Sequence, residues 1–212
     1  MTKENRKGFT IIEVVLVLAI AGLIFLMVFI ALPALQRSQR NTRRRQDMAR
    51  ILSAITTYQS NNGNKVPCQN SARVGDADCT GADGELVKFI NNYVISGDVP
   101  ATQAKRLAPV DSNGSCFEEF CDPDGTSYEM SRFKWGSEGA SAYKTEGGKT
   151  TFAWESGSGF YTRAQENHEI MLASYAKCDD GAEGVIVKTD GPTNVAIMYV
   201  LEGGAVYCGD NQ

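Results

Sequence analysis

The sequence predicts an α+β fold. A long N-terminal α-helix, apolar enough in its first half to be transmembrane, packs by its second half on a small antiparallel β-sheet head. Three observations predict it. Residues 9–35 form one apolar run, FTIIEVVLVLAIAGLIFLMVFIALPAL, whose only charge is Glu13 and only hydroxyl is Thr10. Beyond it, Met48, Ile51, Leu52, Ile55 and Tyr58 recur at three- and four-residue intervals, the stripe of a helix with one buried side. The last stretch of chain alternates Val-, Ile- and Tyr-rich runs with glycine turns, the pattern of hairpin-connected strands.

Residues 1–8, MTKENRKG, are a polar leader without an apolar core of its own. The run over 9–35 is long enough, at about 1.5 Å per residue, to span a bilayer core of about 30 Å. An ordinary secretory signal has a shorter apolar region of roughly 7–15 residues, followed by a small-residue cleavage site. No A-x-A site follows here, so the segment is expected to stay in the mature chain. Residues 36–62 read as an amphipathic continuation with an arginine-rich neck, giving a rod of about 78 Å from residue 9 to residue 60. Asn61-Asn62-Gly63-Asn64 then stops the helix. Gly22 lowers helix propensity by about 1 kcal/mol relative to alanine, and Pro33 removes a backbone donor. Both mark places where the rod can yield.

Residues 63–212 read as a globular head. A short helix is predicted over 85–94, with Leu86, Phe89, Ile90 and Tyr93 on one face. Strands are predicted over 128–135, 150–154, 184–188, 194–201 and 205–208, the last two joined at Gly203-Gly204. The Gly-, Ser- and Lys-rich stretch 136–159 reads as surface loop or a weak hairpin.

Charge is unevenly spread. The leader carries Lys3, Arg6 and Lys7 against Glu4, and residues 9–50 carry Arg37, Arg40, Arg43, Arg44, Arg45 and Arg50 against Glu13 and Asp47. Residues 51–212 hold 12 basic and 22 acidic side chains, a net −10 within an overall −4. An acidic head repels phosphates and speaks against generic nucleic-acid binding; no dedicated nucleic-acid site is evident. All six cysteines, Cys68, Cys79, Cys116, Cys121, Cys178 and Cys208, lie beyond the apolar run. An even number behind an export signal points to disulfides in an oxidising compartment. Fifteen connectivities are open; the local pairing is Cys68–Cys79, Cys116–Cys121 and Cys178–Cys208.

The junction Lys7-Gly8-Phe9-Thr10-Ile11-Ile12-Glu13, running straight into the apolar stretch, resembles the processing site of type IV prepilins and pseudopilins. It departs from the commonest form in Ile11, where leucine is more usual. The resemblance covers about the first 30 residues, and residues beyond Leu35 match no motif. It implies that a membrane-embedded prepilin peptidase cuts between Gly8 and Phe9 and that the Phe9 amine is methylated. The precursor would be a single-pass protein of the inner (cytoplasmic) membrane. The mature chain would be a secreted subunit of a pilus, or fimbrium, of the kind used in cell adhesion, with an expected pilin-like fold. The implied partners are sister copies in a helical filament, other pilins, the peptidase, and a pilus assembly platform with its ATPase machinery. A minor pilin, or a pseudopilin of a type II secretion or DNA-uptake machine, fits the same signal. A membrane-anchored extracellular binding domain that never polymerises is the rival from another class.

Glu13 is the expected assembly residue, together with Phe9. A carboxylate at the centre of a membrane helix costs about 2.5–3.5 kcal/mol, less near an end, and such groups find partners. A freed Phe9 amine, one turn away or on a neighbouring subunit, is the nearest cation. The arginine neck conflicts with the positive-inside rule: either the leader's own cations set the orientation or the topology is reversed, and the cysteines downstream favour the first. Pairing with acidic heads of neighbours, and contact with solvent or anionic headgroups, are both open for it.

No catalytic constellation is apparent, no cofactor is implied, and the chain is not expected to be an enzyme. His168-Glu169 lacks the second histidine of a zinc-protease motif, and His168 is the only histidine. Asp76-Ala77-Asp78-Cys79-Thr80-Gly81 begins like a calcium loop, but its final acidic position falls on Val87. Asp122-Pro123-Asp124-Gly125 reads as a turn. Trp135, Trp154 and Tyr161 are read either as adhesive surface aromatics or as core aromatics, with core packing expected for most of them.

Overall fold

The computed structural model describes residues 8–68, 84–95, 106–108, 110–116, 120–133, 135, 143–153, 164–166 and 168–212. The chain divides into two compact units, Met1–Arg40 and Asn41–Gln212. A single helix, α1 (Ile11–Asn61), supplies most of the first unit and the opening segment of the second. It starts at Ile11 and not at Phe9 because Thr10 serves as its N-cap. It ends where Gly63 (φ +64°) and Asn64 (φ +63°) turn left-handed, and the Asn64 N–H bonds back to the Gln59 carbonyl at 2.8 Å.

In the first unit every large apolar side chain between residues 9 and 35 is exposed. The helix is long and apolar enough to cross a membrane, and none of its most apolar stretch is covered.

The second unit is built around the apolar stripe of α1. Met48, Ile51 and Ile55 are fully buried, Tyr58 is nearly so, and Leu52 sits at the edge of the same core. The predicted helix over 85–94 is α2 (Glu85–Phe89) running into a π-helical segment, Ile90–Val94. It presents Phe89 and Tyr93 edge-on to Tyr58, at centroid distances of 5.5 and 5.3 Å. The Tyr58 hydroxyl donates to Glu85 Oε1 at 2.6 Å.

Among the described residues, eight strands form two four-stranded sheets. The first contains β1 (Glu129–Phe133), β4 (Glu169–Ser174), β7 (Val195–Val200) and β8 (Val206–Asp210), in that order. The second contains β2 (Tyr143–Glu146), β3 (Lys149–Ala153), β6 (Val185–Lys188) and β5 (Ala176–Cys178), in that order. Pairing is antiparallel except for β1 with β4, which run parallel. The weak hairpin of residues 136–159 is β2–β3, turned at Gly147-Gly148.

Side-chain alternation along the first sheet explains how it serves two cores. Ile170 and Leu172 on β4, with Val195, Ile197 and Tyr199 on β7, belong to the core that holds α1. Their neighbours Met171, Ala173, Ala196 and Met198 belong to a second core with Phe152 of β3 and Ile186 of β6. The central strands are therefore buried on both faces and carry no polar alternation. The chain changes sheet at Tyr175 (φ +54°), between β4 and β5. The Cys178–Cys208 disulfide joins β5 to β8, linking the two sheets covalently. Gly184 (φ +70°) lets the start of β6 approach β8, since a Cβ there would lie 2.7 Å from Val206 Cβ.

Candidate functional site

At the N-terminal end, Thr10 and Glu13 form a reciprocal capping box. Glu13 Oε2 accepts the Thr10 backbone N–H at 2.8 Å and the Thr10 hydroxyl at 2.7 Å, and the Glu13 N–H reaches Thr10 Oγ1 at 3.4 Å. The carboxylate thus satisfies orphan N-terminal donors and sits where the helix dipole favours negative charge. Gly8 and Phe9 precede the helix, with Phe9 88% exposed. A Cβ added at Gly8 would meet no described atom within 4 Å, so packing inside the chain does not require glycine there.

The second cluster is buried in the head. Arg44, on α1, forms a two-pronged ion pair with Asp122: Nε to Oδ2 at 2.8 Å and Nη2 to Oδ1 at 2.7 Å, with the side chains 6% and 0% exposed. Asp122 Oδ1 also accepts the Asp124 backbone N–H at 3.1 Å, and Oδ2 accepts the Tyr199 hydroxyl at 3.0 Å. These four donors fill the four lone-pair positions of a carboxylate. His168 (φ +50°) adds Nδ1 at 3.2 Å from Tyr199 Oη and 3.5 Å from Asp122 Oδ2, and Nε2 at 3.2 Å from Asp124 Oδ2.

Burial works to raise the Asp122 carboxyl, but the neighbouring His168 ring, the Arg44 guanidinium and the Asp124 N–H outweigh it and hold the group well below the usual carboxylate range. The Asp122 carboxylate in turn raises His168 above its ordinary value, with burial opposing. Asp122, Asp124 and His168 offer ligand atoms within 4.8 Å of one another. With Asp122 saturated by donors and a guanidinium against it, the grouping is an ion-pair network and not a metal cradle. Around it, Arg44 Nη1 lies 3.6 Å from Glu202 Oε2, Asn41 bonds the Glu202 backbone in both directions, and the Tyr128 hydroxyl donates to Asp47 at 3.0 Å.

Residues 3–29 match the prokaryotic N-terminal methylation motif. The chain carries the prepilin signal of type IV pilins and pseudopilins. No curated protein and no solved structure matches the chain. The prepilin signal and the uncovered apolar helix behind it fit a membrane-anchored precursor and a structural role.

Of the remaining site residues, Gly22 and Pro33 both lie within α1, which is helical through each of them. Cys116 is bonded to Cys121 and Cys178 to Cys208. Cys68 is disulfide-bonded, while Cys79, its expected partner, lies outside the described residues, as do the calcium-like loop, Trp154 and Tyr161. Trp135 stacks edge-on to Phe133 at 5.1 Å and donates its indole N–H to the Ser174 carbonyl at 3.0 Å. The turn Asp122–Gly125 is present, closed by the Gly125 N–H on the Asp122 carbonyl at 2.8 Å. Sequence reading missed its second duty, as the counter-ion of Arg44. The neck arginines divide accordingly: Arg44 is paired within its own chain, and Arg50 lies over the Phe120 ring at 5.0 Å.

Proposed function

We propose that this chain is a structural subunit of a type IV pilus-like extracellular filament, made as a single-pass membrane precursor. A prepilin peptidase removes residues 1–8 and the new Phe9 amine is methylated. The mature chain, residues 9–212, then leaves the bilayer and bundles its apolar helix with those of sister subunits. The observation that carries the reading is the join between the prepilin signal and the helix behind it. The helix's own fold leaves every large apolar side chain from residue 9 to residue 35 uncovered. Surface of that extent needs either lipid or other helices. A repeated heterologous contact between such helices generates an open filament.

The roles follow from local chemistry. Gly8 is unconstrained by the chain's own packing, which supports an outside demand for glycine, met by a protease that needs close backbone approach. Glu13 is held by Thr10 in the uncut chain. Cutting after Gly8 creates a cation at Phe9, for which Glu13, of the same or a neighbouring subunit, is the partner. Gly22 and Pro33 supply compliance when helices pack at the filament centre. The partners are sister subunits, other pilins, the peptidase, and the assembly platform with its ATPase.

Glu13→Gln tests the assembly role. The substitution keeps a hydrogen-bonding side chain at the cap but removes the charge. Filament recovered by shearing is expected to fall at least about tenfold, equivalent to about 1.4 kcal/mol in an association step. Processed protein should still accumulate in the membrane. Wild-type filament yield from the variant would contradict the proposed pairing.

A further inference from the structure

From the proton count of the buried network, we infer that His168 is a proton-operated clasp: as an imidazolium it locks the Asp122–Gly125 turn and Tyr199 around Arg44 of α1, and on deprotonation it releases that grip.

The count runs through three groups. The Tyr199 hydroxyl has one proton, and it goes to Asp122 Oδ2 at 3.0 Å. Tyr199 Oη can then only accept from His168 Nδ1, 3.2 Å away, so Nδ1 carries a proton. On the other side of the ring, Nε2 faces Asp124 Oδ2 at 3.2 Å, and a carboxylate oxygen only accepts. A proton on Nε2 turns that contact into an ion pair. With the Tyr199 proton on Asp122, the cation is the state in which both ring nitrogens turn a proton towards an acceptor. With that proton on Asp122, either neutral tautomer leaves a ring lone pair facing Asp124 or Tyr199; the His168 side chain is 19% exposed.

Among the described residues, the groups facing the ring come from several elements. Arg44 lies on α1, Asp122 and Asp124 on the turn, and Tyr199 on β7, with Glu202 just beyond that strand, 3.6 Å from Arg44 Nη1. The His168 carbonyl accepts the Glu129 N–H at the start of β1, whose carboxylate lies 3.7 Å from Arg106. In the imidazolium state two cations, Arg44 and His168, face Asp122 and Asp124. Loss of the proton leaves Arg44 as the only cation between them among the described residues.

The sign of the pH dependence follows from linkage. His168 is raised in the folded state, so its contribution is complete below about pH 6.5 and disappears as pH rises through the folded-state value. Asp122 is lowered, so its contribution is present above about pH 3.9 and is lost only on strong acidification. Between these limits the clasp is closed; towards alkaline pH it opens.

The test uses the full-length protein in detergent micelles, with the unfolding midpoint followed from pH 6 to pH 9. His168 is the only histidine, so its imidazole C–H signal in NMR reports the titration without assignment. We expect that signal to titrate above about pH 6.5 and the midpoint to fall as it does. His168→Asn should remove the pH slope while tolerating the positive φ. Asp124→Asn should move the imidazole titration to lower pH. A wild-type midpoint flat across the range, or an imidazole titrating at or below about pH 6.5, overturns the inference. If His168→Asn fails to fold, the wild-type imidazole signal still decides between these outcomes.

Discussion

Arg44→Met is expected to destabilise the head by about 3–5 kcal/mol, the usual cost of removing one partner of a buried ion pair. Asp122 would be left fully buried with its charge supported only by Tyr199, His168 and one backbone N–H. For a unit of this size the loss corresponds to a fall in thermal midpoint of roughly 6–20 °C. Arg44→Lys should recover only part of it, because an ammonium cannot bond both carboxylate oxygens through a planar fork. Combining Arg44→Met with Asp122→Asn should cost less than the sum of the two single changes, since the pair is coupled. Denaturant unfolding of the full-length protein in micelles measures all four variants. A single-variant loss under about 1 kcal/mol would show that the pair behaves like an exposed one.

Removing the Cys178–Cys208 bond with paired serine substitutions is expected to cost about 3–4 kcal/mol, against about 2 kcal/mol for Cys116–Cys121. Loop length sets the difference: sequence separations of 30 and 5 constrain the unfolded chain to different degrees. Location acts in the same direction. The longer closure holds the two sheets together between β5 and β8, while the shorter one trims a loop beside Asp122. The unfolding midpoints of the two double variants should therefore rank in that order, and the reverse order would contradict the account.

The parts of the fold legible in the sequence are those with a strong local pattern. The apolar run, the stripe from Met48 to Tyr58 and the glycine-turned terminal strands each follow from spacing alone. Strand β4 was not legible. Glu169–Ser174 has no alternation, because both its faces are buried, and its Leu, Met and Ala suit a helix as well. The parallel pairing of β1 with β4 likewise depends on distant chain and leaves no local mark. The buried network was half legible. Counting back from Met48 by four and then three places Arg44 and Asn41 on the same stripe as Ile51, Ile55 and Tyr58. A charged residue at a core position announces a buried acid, but nothing in the spacing says that the acid is Asp122. Near the N-terminus the reverse holds: Gly8, Phe9 and Glu13 stand out in the sequence, while Thr10's hold on Glu13 shows only in the folded helix.

The central claim concerns what happens to residues 1–8 and to the helix they precede. Mass spectrometry of the protein sheared from cell surfaces tests it most directly. The account predicts a chain of residues 9–212 whose N-terminal Phe9 amine is methylated, recovered in filaments. Recovery of the chain with Met1 and the leader still attached would contradict it.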